Sequence, residues 1–143
     1  MKHDDSKILQ EIQRNTRIGM TAIETILDKI EEDEFALQLS RQSLRYSEIH
    51  NRALDQILEN NGEVYHGSQI TDLMLKGSIH MNTALNVSRE HLAEMMIQGS
   101  NRGITSMWKV IKHNQMATDT AFELAQELVS FEESAIEKLK EYL

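Results

Sequence analysis

The residues whose types could support chemistry in this chain are carboxylates and histidines. Glu48 and Glu133 occupy the same place in two similar segments, Tyr46-Ser47-Glu48 and Phe131-Glu132-Glu133. His91 and Glu94 are three positions apart and would share one face of a helix, while His50 borders an apolar stripe. Carboxylate and imidazole groups bind iron, manganese and zinc, so the candidate metal ligands are Glu48, His50, His91, Glu94 and Glu133. The alternative interpretation is that they are polar side chains at the edge of a core.

Other kinds of chemistry have little support in the sequence. The absence of cysteine excludes disulfides, thiolate metal sites and cysteine nucleophiles. Serines and threonines have no histidine at a sensible relation, and there is no glycine-rich phosphate loop. The formal charge of −8 disfavours general nucleic-acid binding, because a phosphate backbone repels an acidic surface. We therefore expect a non-enzymatic protein that binds no nucleic acid and has no cofactor, unless iron or manganese binds at the candidate residues.

The composition predicts an all-α protein. The 143 residues include no proline and six glycines, so long helices can continue without ring-imposed breaks. Aromatic residues make up 5% of the chain and β-branched runs are absent, which argues against a sheet. A hydrophobic content of 40% is sufficient for one core, so we expect a single domain over residues 1–143. The first six residues have no apolar targeting region and no uncharged segment is long enough to span a membrane, so we expect a cytoplasmic protein.

Apolar residues at intervals of three and four predict four long helices, at about 6–30, 34–60, 79–113 and 117–142. Asp4, Asp5 and Ser6 are candidate N-caps of the first helix, and Gly62 is the expected left-handed residue after the second. In the third helix the stripe continues through two glycines, which favours a continuous helix. A break at Ser100–Gly103 stays open as the alternative.

The stretch between the second and third helices predicts a long connection at residues 62–78. It contains Gly62, Gly67 and Gly77, and its only periodic segment is one short helix capped by Ser68. A connection of this length can cross from one end of a bundle to the other. The sequence therefore predicts two helical hairpins joined by a crossover.

The second and fourth predicted helices resemble each other at a shift of 85 positions. Ala36-Leu37-Gln38-Leu39 then aligns with Ala121-Phe122-Glu123-Leu124, and Tyr46 aligns with Phe131. Regular helical patterns resemble themselves at many shifts, so both an internal duplication and a coincidence of apolar spacing stay open.

The two hairpins, the crossover and the repeated aromatic-x-Glu segment resemble the ferritin-like superfamily. The run from Gly103 to Leu143, with Trp108 and the Glu132-Glu133 pair, is similar to uncharacterised bacterial ferritin-like proteins of this size. The resemblance implies a ferritin-like four-helix bundle. In the metal-binding members of that superfamily, two helices each donate a Glu and two donate Glu-x-x-His.

The sequence departs from that ligand pattern at both expected imidazoles. Asn51 stands three positions after Glu48, and Ile136 stands three positions after Glu133. The remaining Glu-x-x-His, Glu63-Val64-Tyr65-His66, lies in the connection. From the levels of the residues along the helices, we expect buried ion pairs Arg17–Glu48 and Arg102–Glu133 in place of a metal bridge.

Two further patterns concern binding. Met74, Met81, Met95, Met96 and Met107 lie on or before the third predicted helix, where they either fill the core or bind an apolar ligand. The Gly99-x-x-x-Gly103 spacing would let another backbone approach closely, and Trp108 could contribute to a dimer contact.

The function predicted from the sequence is a non-enzymatic structural or interaction module that associates with itself. The alternative is an iron- or manganese-binding or oxidase-like protein with an atypical site, drawn from the five candidate ligands and Glu24. A binder of small apolar molecules is a third possibility, which would require a cavity.

Overall fold

The computed structural model describes residues 1–67 and 69–143, without the side chain of Ile70, and all regular secondary structure in them is helical. The helices are α1 (His3–Leu27), α2 (Asp33–Glu59), α3 (Gln69–Thr83), α4 (Arg89–His113), α5 (Asp119–Leu139) and a 3-10 helix at Lys140–Tyr142. The prediction of an all-α fold is confirmed. None of the helices in the described part of the chain is long and apolar enough to cross a membrane.

The four long helices α1, α2, α4 and α5 pack around one apolar core. α1 packs most extensively on α2, and α4 on α5. The largest side chains that are fully buried come from all four helices: Ile8, Leu9, Ile12, Ile23, Ile26, Phe35, Leu39, Ile49, Ile57, Leu92, Met107 and Leu124. These residues recur at helical spacing, so each helix turns one apolar face toward the others.

The helices α1 and α2 form one hairpin, and α4 and α5 form the other. Contacts between these two hairpins show the relative directions of their helices. Asp5 accepts a hydrogen bond from the Thr118 N–H at 2.6 Å, and Asn15 donates one to Glu132 at 3.0 Å, so α1 and α5 are parallel. Tyr46 contacts Glu132 and Arg52 contacts Glu127, so α2 and α5 are antiparallel. α3 packs mainly on α1 and connects the end of α2 to the start of α4.

The predicted continuous helix at 79–113 is wrong. α3 ends at Thr83 and residues 84–88 are not helical. The Ser88 hydroxyl then caps α4 by accepting from the His91 N–H at 3.2 Å, while the Ser88 N–H donates to the Asn86 side chain at 3.0 Å. The spacing of apolar residues predicted a continuous helix because Leu85 continues it, but Leu85 is fully exposed.

The alternative break at Ser100–Gly103 is also wrong, because α4 is helical from Arg89 to His113. The short helix predicted in the connection is present as α3, although it is longer than expected and continues to Thr83. Its predicted cap, Ser68, lies outside the described residues.

The residues predicted at the start of α1 and at the end of α2 have different roles from those expected. α1 begins at His3, so Asp4 and Asp5 lie in its first turn and accept from the N–H groups of Met116 and Thr118 rather than capping α1. After α2 the left-handed residue is Asn61, with φ of 56°, and Gly62 has no positive φ. Asparagine tolerates this conformation better than most residues, because its short polar side chain can hydrogen-bond locally.

Candidate ligand-binding site

Two glycines create space for two large side chains at the centre of the molecule. A Cβ at Gly19 of α1 would lie 2.6 Å from ring atoms of Tyr46. A Cβ at Gly103 of α4 would overlap with the carboxyl group of Glu132. In each hairpin, therefore, a glycine on the first helix accommodates a bulky residue of the second helix.

The two accommodated side chains meet each other. The Tyr46 hydroxyl donates to Glu132 Oε2 at 3.0 Å, and Asn15 Nδ2 donates to Glu132 Oε1 at 3.0 Å. Asn15 Nδ2 also donates to the Gly103 carbonyl at 3.1 Å. Glu132 is 1% exposed and Tyr46 is 3% exposed, so a carboxyl group and two neutral donors form a buried cluster that joins the two hairpins. We call Asn15, Tyr46 and Glu132 the central polar cluster.

Burial dominates the electrostatics of the central polar cluster. Loss of solvation raises the pKa of Glu132 to about 7, although the hydrogen bonds from Asn15 and Tyr46 lower it. Burial and the nearby Glu132 charge hold the pKa of the Tyr46 hydroxyl well above its ordinary value. Among the described residues, no cationic side chain forms an ion pair with Glu132. The carboxyl group therefore lies in a low-dielectric site without a compensating cation.

A cavity of about 750 Å³ borders the central polar cluster. Its walls come mainly from α1, α3 and α4. All three residues of the cluster line it, so α2 and α5 contribute through Tyr46 and Glu132. Apolar side chains from the same helices complete the wall, among them Ile18, Ala22, Ile79, Met95 and Met96. This volume lies in the range of small-molecule sites, which combine an apolar lining with a few polar groups.

Charged side chains lie at the rim of the cavity. Arg14, Arg102 and Lys109 line it and are exposed, in contrast to the buried cluster. Arg14 forms an ion pair with Glu11 at 3.0 Å. The cavity therefore has a solvated, charged rim and a buried carboxyl group in its wall.

The candidate ligands on α2 do not line this cavity. Glu48 is exposed and accepts from Arg45 at 2.9 Å. His50 is half-buried, and its Nδ1 lies 2.8 Å from the Thr16 hydroxyl. Burial lowers the pKa of His50, an effect that its hydrogen bond to Gln13 opposes. Glu48 therefore contacts a side chain on an adjacent turn of α2, and His50 contacts a side chain of α1.

The other three candidates are also engaged or exposed. His91 Nε2 lies 2.9 Å from the Asn82 carbonyl oxygen, and Glu94 lies next to Gln98. Glu133 is exposed on α5. In residues 1–67 and 69–143, no group of three or more His, Asp or Glu side chains could hold a metal ion. The structure therefore does not bring the five candidates together.

The two predicted buried ion pairs are wrong. Arg17 pairs with Asp72 of α3 at 2.7 Å, and Glu48 pairs with Arg45. Arg102 and Glu133 are both exposed. The prediction assumed that Glu133 faces inward, whereas the inward position of that pair is Glu132.

A signal for Glu132 was present in the sequence. Leu128, Glu132, Ala135 and Leu139 follow one another at spacings of four, three and four, so Glu132 occupies an apolar stripe that Glu133 leaves. Asn15 similarly lies between Ile12 and Gly19 on the stripe of α1. A polar residue at such a position requires a buried partner, and that reasoning would have selected both residues.

The methionines, the two spaced glycines and Trp108 lie in different environments. Met95 and Met96 line the cavity, Met107 is in the core, and Met74 and Met81 are exposed on α3. Of the two spaced glycines, Gly103 is in close contact with Glu132, whereas a Cβ at Gly99 would meet open space. Trp108 is half-exposed, and self-association stays a prediction.

Residues that align in the internal repeat are in contact. The rings of Tyr46 and Phe131 pack edge to face with centroids 4.9 Å apart. Equivalent positions meet in this way when they lie near the axis that relates two copies.

Comparisons of the chain with protein-family models, with curated proteins and with solved structures give no match.

Proposed function

We propose that this protein is a non-enzymatic binding module whose cavity between α1, α3 and α4 takes one small, largely apolar molecule. The observation that carries the proposal is Glu132, a buried carboxyl group in the wall of a cavity of about 750 Å³. Burying an acid without a cation costs stability, so such a group is expected where it serves a ligand.

The composition of the wall supports a mainly apolar ligand. Isoleucine, leucine, alanine and methionine side chains form its apolar part, and methionine adapts to irregular shapes because its side chain is unbranched. The buried polar residues of the wall are Asn15, Tyr46, Ser100 and Glu132, a small set as expected for groups that orient a ligand rather than solvate it.

Chemical conversion is not part of the proposal. The central polar cluster contains one carboxyl group, one amide and one phenol, and lacks a nucleophile paired with a base. The proposal concerns binding alone, and the alternative of iron or manganese binding has no ligand group among the described residues to support it.

We also propose that the four long helices have the ferritin-like arrangement. It is supported by the antiparallel pairing within each hairpin, by the crossover through α3 and by the contact between Tyr46 and Phe131. Such a bundle places ligand sites between facing helices, where the cavity lies.

Titration with Nile red, a neutral apolar fluorophore, tests the proposed function. We expect saturable binding of one molecule per chain. Ala22→Phe places a larger side chain in the cavity wall and should weaken binding by at least about fivefold.

Ala36→Phe is the matched control, because Ala36 is a half-buried helical alanine that does not line the cavity. It should leave the affinity unchanged. Circular dichroism establishes that both variants are folded, and the Ala22→Leu and Ala36→Leu pair replaces them if either is not. Non-saturable binding, or equal weakening in the two variants, would show that the cavity is not the binding site.

A further inference from the structure

We infer that the molecule bound in this cavity is an apolar amine, whose ammonium group pairs with the carboxylate of Glu132. This inference rests on the proposed function and specifies its ligand class. It comes from the hydrogen-bonding capacity of the carboxylate, the absence of a cation beside it and the apolar surface around it.

The Glu132 carboxylate has unused hydrogen-bonding capacity. An ionised carboxylate can accept at about four lone-pair positions. Oε1 accepts from Asn15 and Oε2 accepts from Tyr46, so each oxygen has one hydrogen bond from the protein side chains. An ammonium group carries three donors and no acceptor, which suits the positions that remain.

In the part of the chain that the structure describes, the site supplies neutral donors but no positive charge. Neither Asn15 nor Tyr46 can neutralise a carboxylate, and burial accordingly raises the pKa of Glu132. The cations that line the cavity are Arg14, Arg102 and Lys109, and all three are exposed at the rim. Charges at such solvated positions are screened and contribute little to a buried group. A cationic ligand would provide the charge that the protein does not.

The opposite ligand class, an apolar anion held by the rim cations, fits less well. Its head would pair with solvated side chains, and the buried carboxyl group would gain no partner from it. If the anionic head entered more deeply, it would approach Glu132 and be repelled. The cavity wall therefore favours an amine over a carboxylate of the same length.

Calorimetric titration with three ligands of equal chain length tests the inference: n-octylamine, 1-octanol and octanoate, at pH 8. The amine is expected to bind at least about tenfold more tightly than the alcohol, since a charge-assisted hydrogen bond is stronger than a neutral one. Octanoate is expected to bind more weakly than either. In Glu132→Gln the preference for amine over alcohol should be lost.

Glu133→Gln is the matched control, because it removes a neighbouring carboxylate that is exposed on the same helix. The control should keep the preference for the amine. An equal loss of preference in Glu132→Gln and Glu133→Gln would overturn the inference, because it would indicate attraction by the general acidity of the surface. Tighter binding of octanoate or octanol than of octylamine would overturn the ligand class and leave the cavity as a binding site. If none of the three ligands binds while Nile red binds saturably, the inference fails and the cavity stays a binding site; if Nile red does not bind either, the proposed function fails with it.

Discussion

In both hairpins a glycine of the first helix lies against a large side chain of the second helix, but the two side chains differ in chemistry. In the first, Gly19 makes room for the aromatic ring of Tyr46, and in the second, Gly103 makes room for the carboxyl group of Glu132. The ring fills its space with apolar surface and one hydroxyl group, whereas the carboxyl group introduces an ionisable group into the core. The comparison shows that a glycine at a close helix contact can accommodate either an aromatic ring or an ionisable carboxyl group, depending on the facing side chain.

The difference between the hairpins is expected to be largest in the pH dependence of stability. Glu132 has its pKa raised to about 7, so the folded protein holds a proton that the unfolded chain releases near the ordinary value of 4.5. Its contribution therefore makes the protein less stable as the pH rises, by about 2 to 3 kcal/mol between pH 5 and pH 8. Urea unfolding at the two pH values should show that Glu132→Gln removes this slope.

The exposed neighbour provides the control for that measurement. Glu133→Gln should unfold with the same pH slope as the wild type. The lowered pKa of His50 acts in the opposite direction, removing stability as the pH falls, but it is common to all three proteins and cancels in the comparison. Equal slopes for the wild type and Glu132→Gln would mean that Glu132 titrates normally.

Gly19 and Gly103 lie in close contact with large side chains, whereas Gly99 lies beside open space. Gly19→Ala and Gly103→Ala should each destabilise the protein by about 1 to 3 kcal/mol, because the new methyl group displaces a buried side chain. Gly99→Ala, on the same helix as Gly103, should be neutral or more stable by up to about 1 kcal/mol, since alanine favours a helix and the space there is open.

Thermal and urea unfolding of the three glycine variants measure this order. The comparison of the hairpins would fail if Gly99→Ala were as destabilising as the other two, because the effect would then come from the helix and not from Tyr46 or Glu132.

The smallest expected effect concerns the hydroxyl group that connects the hairpins. Tyr46→Phe keeps the ring against Gly19 and Phe131 but removes one hydrogen bond to Glu132, at a cost of about 1 kcal/mol. Because that hydrogen bond lowers the pKa of Glu132, the variant should titrate at a higher pH than the wild type. NMR of the side-chain carboxyl carbon follows this titration, and an unchanged midpoint would show that the hydroxyl does not act on Glu132.

Three of the four predicted long helices agree with the structure to within a few residues. α1, α2 and α5 have regular apolar stripes that are buried, so periodicity located them. The third predicted helix, at 79–113, failed at residues 84–88, because Met81 and Leu85 continue the apolar spacing while lying exposed. Periodicity reports the type of a residue and cannot report whether another helix covers it.

The candidate site was harder to predict than the helices. Glu132 and Asn15 could have been selected as polar residues on apolar stripes, but their partnership could not. Asn15 and Glu132 are separated by 117 positions, and their contact depends on the relative heights of two helices that pack from different hairpins. The choice of Glu48 and Glu133 followed a repeated motif, and repetition along the chain does not determine which face of a helix is buried.

The hydrogen bond between Asp5 and the Thr118 N–H has a consequence for the order of folding. Its two residues are separated by 113 positions, so closing that loop costs more chain entropy than forming either hairpin. The helices of each hairpin are neighbours along the chain and can associate through local contacts first. We therefore expect the first turn of α1 to reach its partner only when the hairpins dock, so that the hydrogen bond of Asp5 forms at the last stage of assembly, together with the cavity wall between α1 and α4.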